Sequence, residues 1–201
     1  MSYSVAFFDL GGVVVDVESD RLVLQVSQML GRSFEEVHGA VYHRDLLLPF
    51  ELGQITPQAY FQGLQQQLKL PWSYEQFLGA WNGIFSENRD VTALMSRLAK
   101  SCRLIALTNT NELHLRHIQS TIPSLSVFSD WIASCGLGCR KPELEIYQRA
   151  LKHAGIAASE AVYVDDRPEM VEGGRRAGLT AIRFESGRQL EQELRAIGVL
   201  R

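Results

Sequence analysis

VAFFDLGGVVVD, residues 5–16, sets the architecture of this chain. Val5-Ala6-Phe7-Phe8 is an unbroken apolar run that stops at an acid, Asp9, and Gly11-Gly12 then interrupts the chain. Short apolar runs without alternation read as strands buried on both faces, the pattern of a parallel sheet. Leu104-Ile105-Ala106-Leu107 repeats it and stops at Thr108, and Ala161-Val162-Tyr163-Val164 stops at Asp165-Asp166. An apolar stretch around Trp131–Ala133 precedes Arg140-Lys141-Pro142. In an open parallel sheet the ligand site lies beyond the carboxyl ends of the strands. One lysine, one hydroxyl and up to three carboxylates are therefore expected to reach a single crevice. Three carboxylates do not stay ionised side by side without a cation.

Outward from that segment the pattern changes. Val13-Val14-Val15 reads as a second extended piece, and residues 19–86 read as successive short helices with no strand among them. Ser19 is expected to cap a helix toward Met29 that Gly31 stops. Ser33 with Glu36 and Ser73 with Gln76 have capping-box spacing, and Thr56-Pro57 puts a cap before proline at the first helical position. Phe77, Trp81 and Phe85 fall at helical spacing and read as packing. From residue 89 helices and strands alternate again, with a strand over 103–107, a helix through Leu113–Ile118, a helix entered through Pro142, a helix from Pro168 to Ala177, a strand over 180–184 and a helix over 187–197. The expected fold is α/β: a doubly wound, Rossmann-like parallel sheet built from residues 1–18 and 87–201, with a small helical cap, 19–86, inserted after the first strand.

Composition narrows the function. The 201 residues carry a formal net charge of −3, which argues against a nucleic-acid partner because phosphate tracking needs a basic surface. No apolar stretch approaches the ~20 residues that span a bilayer, and no basic segment precedes the first strand, so neither a membrane anchor nor a secretory leader is expected. Cys102, Cys135 and Cys139 are odd in number and lack zinc-site spacing, which reads as reduced thiols in a cytoplasmic protein. His114, His117 and His153 fall on predicted helices and receive no catalytic role.

The converging residues suit phosphoryl chemistry. A carboxylate such as Asp9 can attack phosphorus and divide one hard step into two. Asp165 and Asp166 are hard oxygen ligands of the kind that hold Mg²⁺. Lys141 would pair with the transferred group and with Asp9, and Thr108 would donate to a phosphate oxygen, supplying the charge stabilisation that phosphoryl transfer requires.

FFDLGGVVVD (7–16), LTNTN (107–111), RKPELEIY (140–147) and VYVDDRPEMVEGGRRAGL (162–179) together resemble the motifs of the haloacid-dehalogenase-like hydrolase superfamily, in order and over nearly the whole chain. LGQIT (52–56) stands where that family's small cap would place it, and among branches the chain is most similar to the bacterial α-D-glucose-1-phosphate phosphatases. The resemblance implies Mg²⁺-dependent hydrolysis of a small phosphorylated metabolite, a hexose 1-phosphate being one candidate, through an aspartyl phosphate. It implies Asp9 as nucleophile and metal ligand, the backbone carbonyl of Gly11 and Asp166 as further ligands with Asp165 beside them, and Thr108, Asn109 and Lys141 as the phosphate-holding set.

Two departures stand out. The family's second aspartate, which protonates the leaving group, is here Gly11, and general acid–base help of that kind is worth about 10²–10⁴-fold. Asp16 lies too far along the chain to replace it. Met170 stands where the family often has asparagine. Two rival readings follow: a metal-independent 2-haloacid dehalogenase, which would not need the Asp165-Asp166 pair, and a phosphometabolite-binding protein with little turnover. A receiver-type signalling domain is disfavoured, because its acid pair comes early in the chain and its lysine last. Tyr42, His43, Arg44, Glu51 and Trp81 are the cap's candidates for substrate contact, and Arg167 is a candidate to lean toward the phosphate.

Overall fold

The computed structural model describes residues 3–200. Five strands, β1 (Val5–Phe8), β4 (Arg103–Thr108), β5 (Asp130–Ala133), β6 (Ala161–Asp165) and β7 (Thr180–Arg183), form one parallel sheet in the order β5-β4-β1-β6-β7. The strand order reverses at β1, so the crevice beyond its carboxyl end opens between β4 and β6, with Asp9 at its centre.

The apolar runs are unbroken because both faces of the sheet are covered. Ala6, Phe8, Leu104, Ala106, Val162 and Val164 enter one core, whereas Val5, Phe7, Ile105, Leu107, Ala161 and Tyr163 enter the other. That split follows from the two-residue period of a strand. Helices α6 (Arg89–Leu98) and α11 (Gly187–Ala196) cover the first face, and α9 (Leu144–Ala154) covers the second. Each fully buried apolar side chain contributes about 1.5–3 kcal/mol. The α7 (Glu112–Thr121), α8 (Ser134–Leu137) and α10 (Pro168–Arg176) helices follow β4, β5 and β6 directly.

Five helices lie between the first strand and α6: α1 (Ser19–Leu30), α2 (Phe34–Val41), α3 (Arg44–Glu51), α4 (Pro57–Leu68) and α5 (Tyr74–Asn82). They share an apolar cluster of their own around Tyr60, Phe50, Phe77 and Trp81. Both capping boxes form, and Thr56 caps α4 ahead of Pro57.

Several expectations are corrected. Val13 and Val14 are not extended: their N–H groups turn back onto the Leu10 carbonyl, and the strand is β2 (Val15–Val17). A strand, β3 (Phe85–Glu87), begins inside the segment read as purely helical and pairs antiparallel with β2. Phe85 therefore leaves the helical face that Phe77 and Trp81 share. Ser19 is the first helical residue of α1 rather than its cap, while Gly31 does end that helix in a left-handed conformation. Lys141 stands beyond α8, in the loop entering α9, not at the end of a strand. Among the described residues no helix is long and apolar enough to cross a membrane.

Candidate active site

Asp9, Thr108, Asn109, Lys141 and Asp166 line one cavity of about 510 Å³, together with Gly11, Gly12, Val17, Ser19, Arg167 and Met170. Asp9 follows directly on β1 and is buried. Its Oδ1 accepts from the Leu10 N–H at 2.8 Å and lies 3.0 Å from Lys141 Nζ, which leaves Oδ2 free toward the cavity. Burial is the main influence on this carboxyl and raises its pKa from 3.8 to about 6, with Lys141 opposing the shift and Asp165 adding to it.

The Lys141 ammonium is buried and is shared by two acids, sitting 2.6 Å from Asp165 Oδ2 as well as beside Asp9. Asp165, the last residue of β6, is wholly buried; it also accepts from the Tyr163 hydroxyl and, at 2.9 Å, from the Arg167 N–H. Asp166 faces the cavity instead. Its Oδ1 is buried without a hydrogen-bond partner, and burial followed by the Asp165 charge raises its pKa. Gly12 makes room for it: the backbone there has φ +77°, and a Cβ would stand 2.6 Å from Asp166 Oδ2.

Oxygens of Asp9, Asp165 and Asp166 lie within 4.8 Å of one another. Lys141 balances only part of that charge. An unpartnered buried carboxylate oxygen beside two further carboxylates is what a hard divalent cation satisfies, so the donor set fits Mg²⁺.

Asn109 lines the cavity, but its amide is engaged with the lysine loop. Oδ1 accepts from the Lys141 N–H and Nδ2 donates to the Lys141 carbonyl, each at 2.9 Å. The side chain expected to hold phosphate thus fixes the backbone that carries Lys141. Thr108 is buried at the end of β4. Asp16 is exposed on β2 and lies outside the cavity lining. Arg167 reaches the cavity while its guanidinium pairs with Glu169.

Of the candidates on the helical segment, Arg44 lines an adjoining cavity of about 410 Å³ that also touches Lys141, Arg167 and Met170. Glu51 pairs with Arg140 at 2.8 Å, and its carbonyl accepts from the Ser134 hydroxyl at 2.7 Å. The next turn is so close to α8 that a Cβ on Gly53, where φ is +68°, would meet the Cys135 carbonyl oxygen at 2.1 Å. Tyr42 donates to the Ser19 carbonyl at 3.1 Å, His43 precedes α3 and is exposed, and Trp81 is buried.

Sequence reasoning missed the junction around His114. This residue is buried, its ring stacks on Trp81 with centroids 4.6 Å apart, and its Nε2–H donates to the Trp81 carbonyl at 3.1 Å. Nδ1 then accepts from the Asn111 amide at 3.1 Å, while Asn111 Oδ1 caps α7. Desolvation lowers the His114 pKa to about 3, so the ring stays neutral and serves structure rather than proton transfer. His114→Ala is expected to cost about 2–3 kcal/mol, from the cavity it leaves and the two groups it strands. Urea denaturation measures the loss; a change below about 0.5 kcal/mol, the level of an ordinary surface substitution, would deny His114 this role.

An aspartate at the end of a central strand, a buried lysine beside it and a carboxylate set that could hold a divalent ion thus meet at one crevice of a parallel sheet. The sequence profile of the haloacid dehalogenase-like hydrolase family matches residues 3–178, and the chain belongs to that family. It is 28% identical over 199 residues to a D-ribitol-5-phosphate phosphatase of Bacteroides thetaiotaomicron, covering 94% of this chain and 96% of the relative. A sesquiterpene phosphatase of Aspergillus oryzae is 24% identical over 204 residues, covering 98% and 97%. Among solved structures, a family enzyme of Bacteroides thetaiotaomicron in complex with magnesium and inorganic phosphate superposes with a TM-score of 0.83 at 22% identity, over 92% of this chain and 96% of that one.

Proposed function

We propose that this phosphatase hydrolyses the monoester of a small phosphorylated metabolite through an aspartyl phosphate on Asp9. The observation that carries the reading is the Asp9–Lys141–Asp165 cluster beside the open oxygen of Asp166. Asp9 Oδ2 attacks phosphorus while Lys141 Nζ keeps the carboxylate ionised and neutralises the incoming phosphate. Thr108 donates its hydroxyl to a phosphate oxygen, and Asn109 keeps Lys141 in place. Asp165 orients the ammonium, and its other oxygen fixes the turn through the Arg167 N–H. Water then cleaves the aspartyl phosphate and regenerates Asp9.

Asp9, the Gly11 carbonyl and Asp166 would hold Mg²⁺, with Asp165 behind them. When bound, the ion supplies charge neutralisation for the phosphoryl group. The acid pair favours this reading over metal-independent dehalogenation. The negative net charge agrees with a small-molecule substrate rather than a nucleic acid.

Chelator-stripped protein is expected to release no phosphate from a metabolite panel until Mg²⁺ is restored. The same linkage has a pH signature. With the pKa of Asp9 raised to about 6, protons compete with the cation below that value, so the increase in Tm given by Mg²⁺ should grow as pH rises through about 6 and level off above it. Metal-independent turnover would refute the assignment, and a Tm increase that ignores pH would remove Asp9 from the ligand set.

A further inference from the structure

Val17 is an apolar side chain in a place that core packing does not explain. It is 40% exposed, belongs to none of the buried clusters, and lines the Asp9 cavity. Its neighbour across the cavity wall is Gly11. A Cβ at residue 11 would stand 3.2 Å from Val17 Cγ2, so the valine methyl crowds the place where a side chain on residue 11 would begin. Thr108 and Lys141 are assigned above to the phosphate, Asn109 to the lysine loop, and Asp9 and Asp166 to the nucleophile and the metal. Gly11, Val17, Ser19, Arg167 and Met170 remain for the departing group.

None of these five can donate a proton efficiently near neutrality. Glycine, valine and methionine have none to give, a serine hydroxyl is too weak an acid, and the Arg167 guanidinium does not deprotonate. Glu143 and Glu169 line the adjoining cavity rather than this one, and Glu169 is paired with Arg167. The Lys141 ammonium is shared between two carboxylates.

We propose that Gly11 and Val17 together form a leaving-group wall without a general acid, and that this selects phosphate esters of acidic oxygens: phenols, enols, hemiacetals and carboxylic acids rather than simple alcohols. This rests on the aspartyl-phosphate reading above. In the first step the Asp9 Oδ2–P bond forms and the P–OR bond breaks; RO⁻ leaves with the electron pair and takes its proton from solvent. In the second, water attacks phosphorus, the P–O bond to Asp9 breaks, and the water proton leaves with inorganic phosphate. Only the first step depends on the acidity of ROH, and kcat/KM reports it.

The test uses the intact, Mg²⁺-supplied enzyme and three probes of similar size: p-nitrophenyl, phenyl and benzyl phosphate, with the Asp9→Asn protein as blank. The kcat/KM for the nitrophenyl ester should exceed that for the benzyl ester by about 10²-fold or more, the span that general acid catalysis would otherwise level. The paired change Gly11→Asp with Val17→Ala should narrow this ratio at least tenfold. Gly11→Asp alone should narrow it less, since Val17 displaces the new carboxyl. A wild-type ratio near one, with Asp9-dependent turnover, overturns the proposal and leaves the aspartyl-phosphate reading standing. A folded double variant with the wild-type ratio also overturns it. If no ester gives Asp9-dependent release, both fall. Should the double variant fail to fold, the wild-type ratio alone decides.

Discussion

Asp9→Asn is expected to lower phosphate release by about 10⁴-fold or more, the scale on which covalent enzymes respond to loss of the nucleophile. The amide is nearly isosteric and can still accept from the Leu10 N–H, but it cannot attack phosphorus. The fold should survive, and without metal it should gain. Burial raises the Asp9 pKa above its unfolded value, so the folded chain binds the extra proton between about pH 4 and 6, and the ionised carboxylate opposes folding above that window. The neutral amide removes that opposition. Phosphate assays and thermal melts of metal-free protein near neutrality check both halves. Residual hydrolysis within tenfold of wild type would refute the nucleophile, and a fall in Tm of several degrees would contradict the electrostatic account.

Lys141→Met should be the most destabilising single change in the site. The ammonium is 1% exposed and lies between Asp9 and Asp165 at 3.0 and 2.6 Å. Removing one partner of a buried ion pair leaves the other charge without compensation and costs about 3–5 kcal/mol. The loss should be largest near neutrality and shrink at acid pH, as Asp9 takes up a proton. Turnover should disappear with it, because neither the incoming phosphate nor Asp9 then faces a cation. Urea denaturation at two pH values measures the first effect. A stability change below about 1 kcal/mol, the range of an exposed pair, would show that the cluster is far better solvated than its burial indicates.

The central strands were legible because their burial on both faces writes unbroken apolar runs into the chain, and the polar residue ending each run marks the crevice. The capping boxes were legible for a local reason, since donor and acceptor lie three residues apart. What escaped was set by tertiary contact. Val13 and Val14 look like strand residues, yet they are buried in a turn against Leu10, and β3 exists only because β2 lies beside it. Lys141 was identified from its motif although it follows a short helix and a loop rather than a strand. Nothing local shows that the Asn109 amide meets the backbone of Lys141, 32 positions away. Trp81 and His114 lie 33 positions apart, and the stack between them carries no signal in either neighbourhood. Val17 reads as an ordinary strand valine; only its contact with the position of Gly11 gives it meaning.

The placement of β1 between β4 and β6 imposes an order on synthesis. Val5–Phe8 leaves the ribosome before either of its neighbours, for its edges are covered by residues 103–106 and 161–164. Until those arrive, this apolar segment is an unpaired strand of the kind that aggregates. Both edges of that strand are therefore covered only after residues 161–164 have emerged, well after the strand itself.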